Sequence, residues 1–359
     1  MENSRGDLGP LPGPDINADA RTYWAAAAEE RLVVQCCDEC GIYRFYPRPL
    51  CPDCASDQAT WTEVSGQGSV HTFTIVHRAP NKEFQAITPY VIALIDLDEG
   101  PRMMANILGD DAIEVAIGGR GRGPRYLRRA RWRRQGAAVR PRRGLTSMLR
   151  NKVIIAGVGD SDIGKVPDMS GLALNAQAAK RALDDAGMRM KDVDGLLTAY
   201  SLTEPYFMLG MVLAEYLGLQ PTYCASLVVG GGTPGAALHH AAMAVTTGQA
   251  KVVLVTCGEN RATGQSRDEA VNALTQVGHP YFENPYGPLV PAFYAMVTQR
   301  YMHEFGTQRE DLAHVAVRAR HHAVRHPNSP MKSEITVDDV LPSKPIAEPR
   351  NMLDSCFLS

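Results

Sequence analysis

The sequence predicts a multi-domain protein: a cysteine-built metal ribbon and a small β-rich barrel, followed by a layered α/β domain. Three observations predict it. Two Cys-x2-Cys pairs stand ten residues apart at Cys37, Cys40, Cys51 and Cys54. Short β-rich runs broken by Gly or Pro occupy 61–108, and from Met148 strand-like runs alternate with amphipathic helical patterns.

The chain of 359 residues is long enough for two or three domains with sizeable cores. No apolar run approaches the roughly 20 residues of a membrane span. The opening MENSRGDLGPLPGPD lacks the basic start and apolar core of a secretory signal, so a cytoplasmic location is expected. Five of the eight cysteines fall between Cys36 and Cys54, and in a chain without a secretion signal that clustering favours metal over disulfides. The net charge of −2 conceals twelve arginines, with no Lys, Asp or Glu, between Arg120 and Arg150, so a basic insert is attached to an acidic body.

Residues 1–17, rich in Gly, Pro and Asp, are expected to be a disordered leader. In 18–58, Ala18 to Arg31 reads as a helix carrying Tyr23 and Trp24, Leu32 to Gln35 as a strand, and the two cysteine hairpins as a ribbon. Two such hairpins bring four thiolates together tetrahedrally, which suits structural zinc and leaves no ligand position for substrate. A redox or iron site, or free thiols, are the alternatives, and Cys36 is a spare thiol that offers a second register for Cys37. In 59–118, Trp61 to Val64, Ser69 to His77, Tyr90 to Leu97 and Met103 to Leu108 read as the strands of a small barrel or sandwich. A ribbon followed by a barrel is compatible with nucleic-acid binding.

Residue comparison offers another reading. The order of a helix with Tyr23-Trp24, then LVVQCCDECGIYRFYPRPLCPDCAS, WTEVSGQGSVHTFTIVHR and PYVIALIDLDEGPRMMANILG closely resembles the acyl-CoA-associated OB-fold family with a rubredoxin-like zinc ribbon. The resemblance implies an OB-type barrel, acyl-CoA metabolism and a thiolase-like partner. It stops after Ala112 to Gly118, which leaves the expected barrel incomplete. In 119–147 the arginines read as a basic tail for nucleic acid or an acidic surface, but Tyr126 and Trp132 are the only aromatics there for stacking on bases, and nucleic acid is not the expected partner. All-Arg usage mixed with Gly, Ala and Pro also fits an out-of-frame translation of a GC-rich gene, with Met148 the start of the next coding unit. Either origin predicts a linker without fixed fold.

From Met148 the character changes. Lys152 to Val158 reads as a buried strand, Ser170 to Ala186 as a helix stopped by Gly187, Val193 to Ala199 as a strand, and Phe207 to Leu217 as a helix stopped by Gly218. Pro221 to Glu259 then reads as strand, glycine turn (Gly230-Gly231-Gly232), alanine-rich helix and buried strand. Small residues at that turn let a backbone or ligand approach the unpaired N–H groups of the helix start, although tight packing in any α/β domain has the same signature. A dinucleotide site is not expected, because Gly157 and Gly159 are followed by Asp162 where the fingerprint needs Gly.

Over 148–359 the chain resembles the thiolase superfamily, in its sterol-carrier and nonspecific lipid-transfer branch. The landmarks are KVIIAGVGDSDIG, ALDDAGMRMKDVDGLL, AALHHAAMAVTTGQAKVVLVTCGE and FENPYGPLVPAFYAMVTQRYMHEFGTQREDLAHVAVRARHHA. The resemblance implies the first half of a layered αβα enzyme, truncated before the half that carries the activating histidine and second catalytic cysteine. It also implies a face normally covered by that sister half. Aligned on Ala237-Leu238, the family's nucleophilic cysteine corresponds to Gly231, while Cys224 and Cys257 read as core. Without that thiolate the usual acyl-enzyme cannot form. Relatives lacking the cysteine and pairing with the ribbon-barrel protein include aldolases of sterol side-chain breakdown, which cleave β-hydroxyacyl-CoA by a retro-aldol step.

The resemblance therefore implies a CoA thioester as substrate and retro-aldol cleavage or acyl transfer as the family activity, impaired here if half the fold is missing. The alternative is a noncatalytic acyl-CoA-binding or assembly module. Tyr286 and Tyr294 are the catalytic candidates, and Gly230, Gly231, Gly232 and His279 the substrate-binding candidates. Expected partners are acyl-CoA and a thiolase-fold subunit, either a second copy or a homologue. His321, His322 and His326 on an Arg-rich helical pattern read as a solvated face.

Overall fold

The computed structural model describes residues 13–14, 16–109, 111–119, 149, 151–204, 206–266, 269 and 277–355. The expected leader 1–17 and arginine-rich linker 119–147 lie almost wholly outside the described residues. Contacts divide the chain into two compact units: residues up to 119 with 277–324 and 333–355, and residues 149–269 with 325–332.

The first unit begins with α1 (Arg21–Ala28) and the ribbon strands β1 (Val33–Cys37), β2 (Tyr43–Arg44) and β3 (Ala59–Glu63), which form an antiparallel sheet in the order β2-β1-β3. Next come β4 (Gly68–Val76), the short α2 (Lys82–Gln85), β5 (Tyr90–Leu97) and β6 (Arg102–Ile107). Two strands from far down the chain, β10 (Pro345–Ala347) and β11 (Arg350–Asn351), complete a five-stranded sheet in the order β11-β10-β4-β5-β6. The join is made by backbone: His77 N–H donates to Ile346 O at 3.0 Å, and Glu348 N–H donates to Ile75 O at 2.9 Å.

β5 explains why so long an apolar run is tolerated. Val91, Ala93, Ile95 and Leu97 point into the barrel core with Val34, Val70 and Phe73, while Tyr90 and Ile92 point the other way, toward Ala292, Ala295 and Met296. Alternating side chains thus serve two cores at once. The second core is closed by a helix, Val290–Phe305, laid across β4. Its small Ala292 and Ala295 permit close approach, and Thr72 Oγ1 donates to Met296 O at 2.6 Å.

The second unit contains α3 (Gly171–Ala186), β7 (Gly195–Ala199), α4 (Leu209–Tyr216), β8 (Tyr223–Leu227), α5 (Thr233–Thr246), β9 (Val253–Thr256) and the short α6 (Arg261–Gly264). The strands form a parallel sheet in the order β8-β7-β9. Leu196 and Leu254 pack with Leu172, Leu183, Leu209 and Leu213 from α3 and α4. Helix α3 matches its expected limits: Ser170 caps its start by accepting from Ala173 N, and Gly187 ends it in the left-handed region at φ 65°. The helix Val290–Phe305 is α7, and α8 (Arg309–Arg325) and α9 (Val337–Val340) follow it. His321, His322 and His326 are exposed, as expected of a solvated face.

One expected element is absent. Lys152 to Val158 forms no strand, and Ile154, Ile155 and Val158 are 87%, 70% and 69% exposed. The segment runs along α3 instead, with Val158 N–H donating to Asp185 Oδ2 at 3.0 Å and Arg181 donating to Asp160 O at 2.7 Å. A Cβ at Gly157 or Gly159 would collide with the α3 backbone. β-branched apolar residues favour extended backbone, but a strand needs a neighbour for its N–H and C=O groups, and no described strand pairs with this one.

Candidate functional site

The ribbon cysteines come together as their spacing predicts. The sulfurs of Cys37, Cys40, Cys51 and Cys54 lie within 4.8 Å of one another, with Cys37–Cys54 at 3.5 Å and Cys40–Cys51 at 3.6 Å. A tetrahedron of ~2.3 Å zinc–sulfur bonds has edges of about 3.8 Å, so the donor set fits zinc. The Cys40 N–H holds the Cys37 thiol below its ordinary range, and the N–H groups of Cys54 and Asp53 pull Cys51 down to about 6. At Cys37 and Cys51 backbone dipoles thus favour the thiolate a metal requires, whereas at Cys40 and Cys54 the backbone bonds received from Ile42 and Ser56 are outweighed by burial and the neighbouring thiols, which raise the pKa. Cys36 is not in the set: it neighbours Cys37 on β1, its side chain turns away, and its thiol contacts Gly41 O at 3.6 Å.

The glycine turn lies at the C-terminal end of β8, where parallel α/β sheets present ligands to helix starts. Gly230 has φ 57°, and Thr233 Oγ1 closes the turn by donating to Gly230 O at 2.7 Å while accepting from Val229 N at 3.0 Å. Gly230, Gly231 and Gly232 are exposed, and a Cβ built on Gly231 would meet nothing within 4 Å. The missing side chain therefore does not relieve a crowded backbone. Cys224 is half-buried on β8, and burial raises its thiol pKa. Cys257, expected in the core, is exposed just beyond β9, because the strand ends at Thr256 and the chain there turns off the sheet edge.

Beyond β9, Glu259 accepts from the Leu202 N–H at 2.9 Å, from Thr203 Oγ1 at 2.8 Å and from Ser201 Oγ. Asn175 bridges to Gly258 in both directions, accepting from its N–H at 3.0 Å. These bonds fix the loops at the same sheet edge as the glycine turn.

The remaining candidates belong to the first unit. Tyr286 ends a one-turn helix, Asn284–Tyr286, and its carbonyl accepts from Asn106 Nδ2 at 3.1 Å. Its phenol lies near that of Tyr23, and burial raises the pKa of both. Tyr294 is 65% exposed on α7. His279 stacks on Tyr46 with ring centroids 4.4 Å apart, and burial lowers its pKa. The structure thus groups Tyr286, Tyr294 and His279 in one unit and Gly230–Gly232 in the other.

Four residues that sequence reasoning passed over complete the surroundings of His279. Phe282 is 2% exposed and packs on Phe45 at 5.0 Å and on Tyr46 at 5.2 Å, while Tyr46 OH donates to Glu283 Oε1. Aromatic letters flanking a metal ribbon and a distant loop carry no mark of each other. The two-sided apolar run of β5 implies a cover on its outer face, but that cover is the helix Val290–Phe305, and Phe282 packs with the barrel core instead.

A four-cysteine ribbon beside an antiparallel barrel, and a parallel sheet whose edge opens at a glycine turn, define a ribbon-barrel protein joined to a layered α/β enzyme fold. The thiolase N-terminal domain family matches residues 153–344, more than half of the sequence, and the chain belongs to the thiolase family. Residues 24–59 match the rubredoxin-like zinc ribbon of ChsH2 and residues 61–122 its C-terminal OB-fold domain. The chain is 35% identical over 217 residues to a 17-hydroxy-3-oxo-4-pregnene-20-carboxyl-CoA lyase of Mycobacterium tuberculosis, covering 58% of this chain and 55% of the lyase. It is 32% identical over 219 residues to a steroid side-chain-cleaving aldolase of Thermomonospora curvata, covering 58% of this chain and 55% of the aldolase. It is also 38% identical over 108 residues to a probable enoyl-CoA hydratase alpha subunit of the same organism, covering 30% of this chain and 33% of that protein. The chain therefore spans about half the length of the lyase and aldolase it matches. Among the described residues no helix is long and apolar enough to cross a membrane.

Proposed function

We propose that the chain binds acyl-CoA thioesters at the glycine turn and serves carbon–carbon cleavage of a β-hydroxyacyl-CoA by a retro-aldol step, without an acyl-enzyme. One observation carries this reading: the start of α5, where a thiolase places its nucleophile, presents Gly230–Gly232 and no thiol, and Cys224 sits back on β8. The names of the lyase and aldolase relatives support it. In the retro-aldol step a base removes the hydroxyl proton, the Cα–Cβ bond breaks to release a carbonyl compound, and its electron pair becomes a thioester enolate. A proton returned to Cα then completes the shorter acyl-CoA. N–H groups at the α5 start are suited to hold the thioester oxygen as negative charge develops there.

Of the two tyrosine candidates for proton transfer, Tyr294 is the exposed one and is the first to test. Tyr286, buried and held through its carbonyl by Asn106, stays the second proton-transfer candidate, and His279, packed on Tyr46, stays a substrate-binding candidate. Zinc in the ribbon is structural, since four thiolates fill its shell. A cytoplasmic location and a second thiolase-fold subunit, a copy of this chain or a homologue, accompany this reading.

Incubating the purified chain with a β-hydroxyacyl-CoA and following CoA esters by chromatography tests it. Release of a shorter acyl-CoA, lowered on the order of 10²-fold in Tyr294→Phe, is the expected result. Thioester binding without turnover would instead establish the noncatalytic acyl-CoA module. A stable acyl mass on the protein would overturn both.

A further inference from the structure

The ribbon does more than hold a metal. From Asp38 to Thr60 only Arg44 and Cys51 are buried, so this stretch has no apolar core of its own. Its order rests on the four cysteines, on the short ladders of β2 and β3 with β1, on the packing of Tyr43, Phe45 and Tyr46 against the barrel core, and on local bonds: Arg44 Nε to Gln35 Oε1 at 2.9 Å, Arg48 N–H to the same oxygen at 2.9 Å, and Arg44 to Arg48 O at 3.0 Å. Segments this short on core ordinarily depend on a metal to fold. Between the two cysteine pairs, directly after β2, the loop presents Phe45 and Tyr46.

Those two rings receive a turn from far along the sequence. Phe282 inserts its ring against Tyr23, Phe45 and Tyr46, with centroids 5.4, 5.0 and 5.2 Å away. The turn is wound tightly, with the N–H groups of Glu283 and Asn284 donating to His279 O at 3.0 and 3.1 Å. Polar contacts fix its register: Tyr46 OH donates to Glu283 Oε1, Glu283 Oε2 accepts from His279 N at 2.6 Å, and Trp24 Nε1 donates to Tyr281 O at 3.1 Å. A large buried aromatic ringed by hydrogen bonds has the form of an interface hot spot. The turn belongs to the thiolase-like sequence, and its receptor is the ribbon and α1.

We propose that metal binding by Cys37, Cys40, Cys51 and Cys54 seats this turn: the loaded ribbon is the docking module for residues 279–286 of a thiolase-type fold, with Phe282 its anchor. When the metal leaves, the loop carrying Phe45 and Tyr46 loses its order and the turn is released, while the barrel strands, held by their own core, remain folded. This does not depend on the reaction proposed above.

Hydrogen exchange read by mass spectrometry on the full chain tests it, comparing the zinc-loaded protein, the protein stripped with a chelator, Cys54→Ser and Phe282→Ala. In the stripped protein and in Cys54→Ser, the amides of 282–284 are expected to exchange at least about tenfold faster while those of 90–97 in β5 are unchanged. Phe282→Ala is expected to show the same local loss while retaining its zinc. The proposal is overturned if the turn stays protected without metal, if β5 loses protection along with it, or if Phe282→Ala leaves the turn protected.

Discussion

Asp96 shows how single residues hold the barrel. Burial works against its charge, but His71 and Arg102 keep its carboxyl below the ordinary range, with Arg102 Nε at 2.6 Å from Oδ1. A depressed carboxyl pKa stabilises the fold fully above the unfolded value of about 4 and is lost as pH falls through the folded value. Asp96→Asn is expected to lower stability at pH 7 by about 1–2 kcal/mol, and the difference should shrink below about pH 4 in urea titrations. Gly287 is a second such position. It has φ 73°, a Cβ there would lie 2.6 Å from the Phe84 ring, and its carbonyl accepts from Tyr90 OH at 2.6 Å. Gly287→Ala therefore combines backbone strain with overpacking and should cost about 2–4 kcal/mol in denaturant unfolding followed at Trp61. The zinc ligands were legible at this scale because metal chemistry requires a fixed spacing in the chain. Phe282 and Glu283 were not, because their partners stand more than 200 residues away.

At the scale of elements, local signals located most strands and helices. Ser170 and Gly187 bracket α3 as caps, and β5 runs over the residues its apolar pattern marks. Lys152 to Val158 shows where such signals stop, since its letters suit a strand but pairing depends on a neighbour. Helix α7 adds a finer point. Ala295 is fully buried against the barrel, while Tyr294, Val297, Tyr301 and Phe305 on the same helix are at least 50% exposed. Hydrophobicity alone would have placed the aromatic face inward, but the close crossing over β4 requires small side chains. Ala295→Leu should therefore destabilise the first unit by about 1–3 kcal/mol, whereas Val297→Ala on the opposite face should change the unfolding midpoint little.

For the whole molecule, the second unit displays Phe207, Met208, Met211, Val228, Val229 and Leu238, with Phe207 fully exposed and each of the others above 45%. Where exposed apolar side chains are contiguous they mark interaction surfaces, and a second thiolase-fold subunit is expected to cover some of these. Sedimentation across a concentration series should show self-association, and the double change Met211→Asp with Leu238→Asp should weaken it. A chain that stays monomeric throughout, with no binding of a hydrophobic dye, would contradict this. The sequence by itself determined the ribbon ligands, the strand and helix periods of both parts, the kinship with thiolases and the absence of a thiol at Gly231, because spacing, periodicity and residue chemistry are local properties of the chain. Only the tertiary structure decided that residues 277–355 divide between the two units, that β10 and β11 extend the barrel sheet, and that the Tyr286 carbonyl is held by Asn106. Those choices depend on which surfaces fit together across hundreds of residues, and apolar burial is non-directional, so no local pattern names its partner.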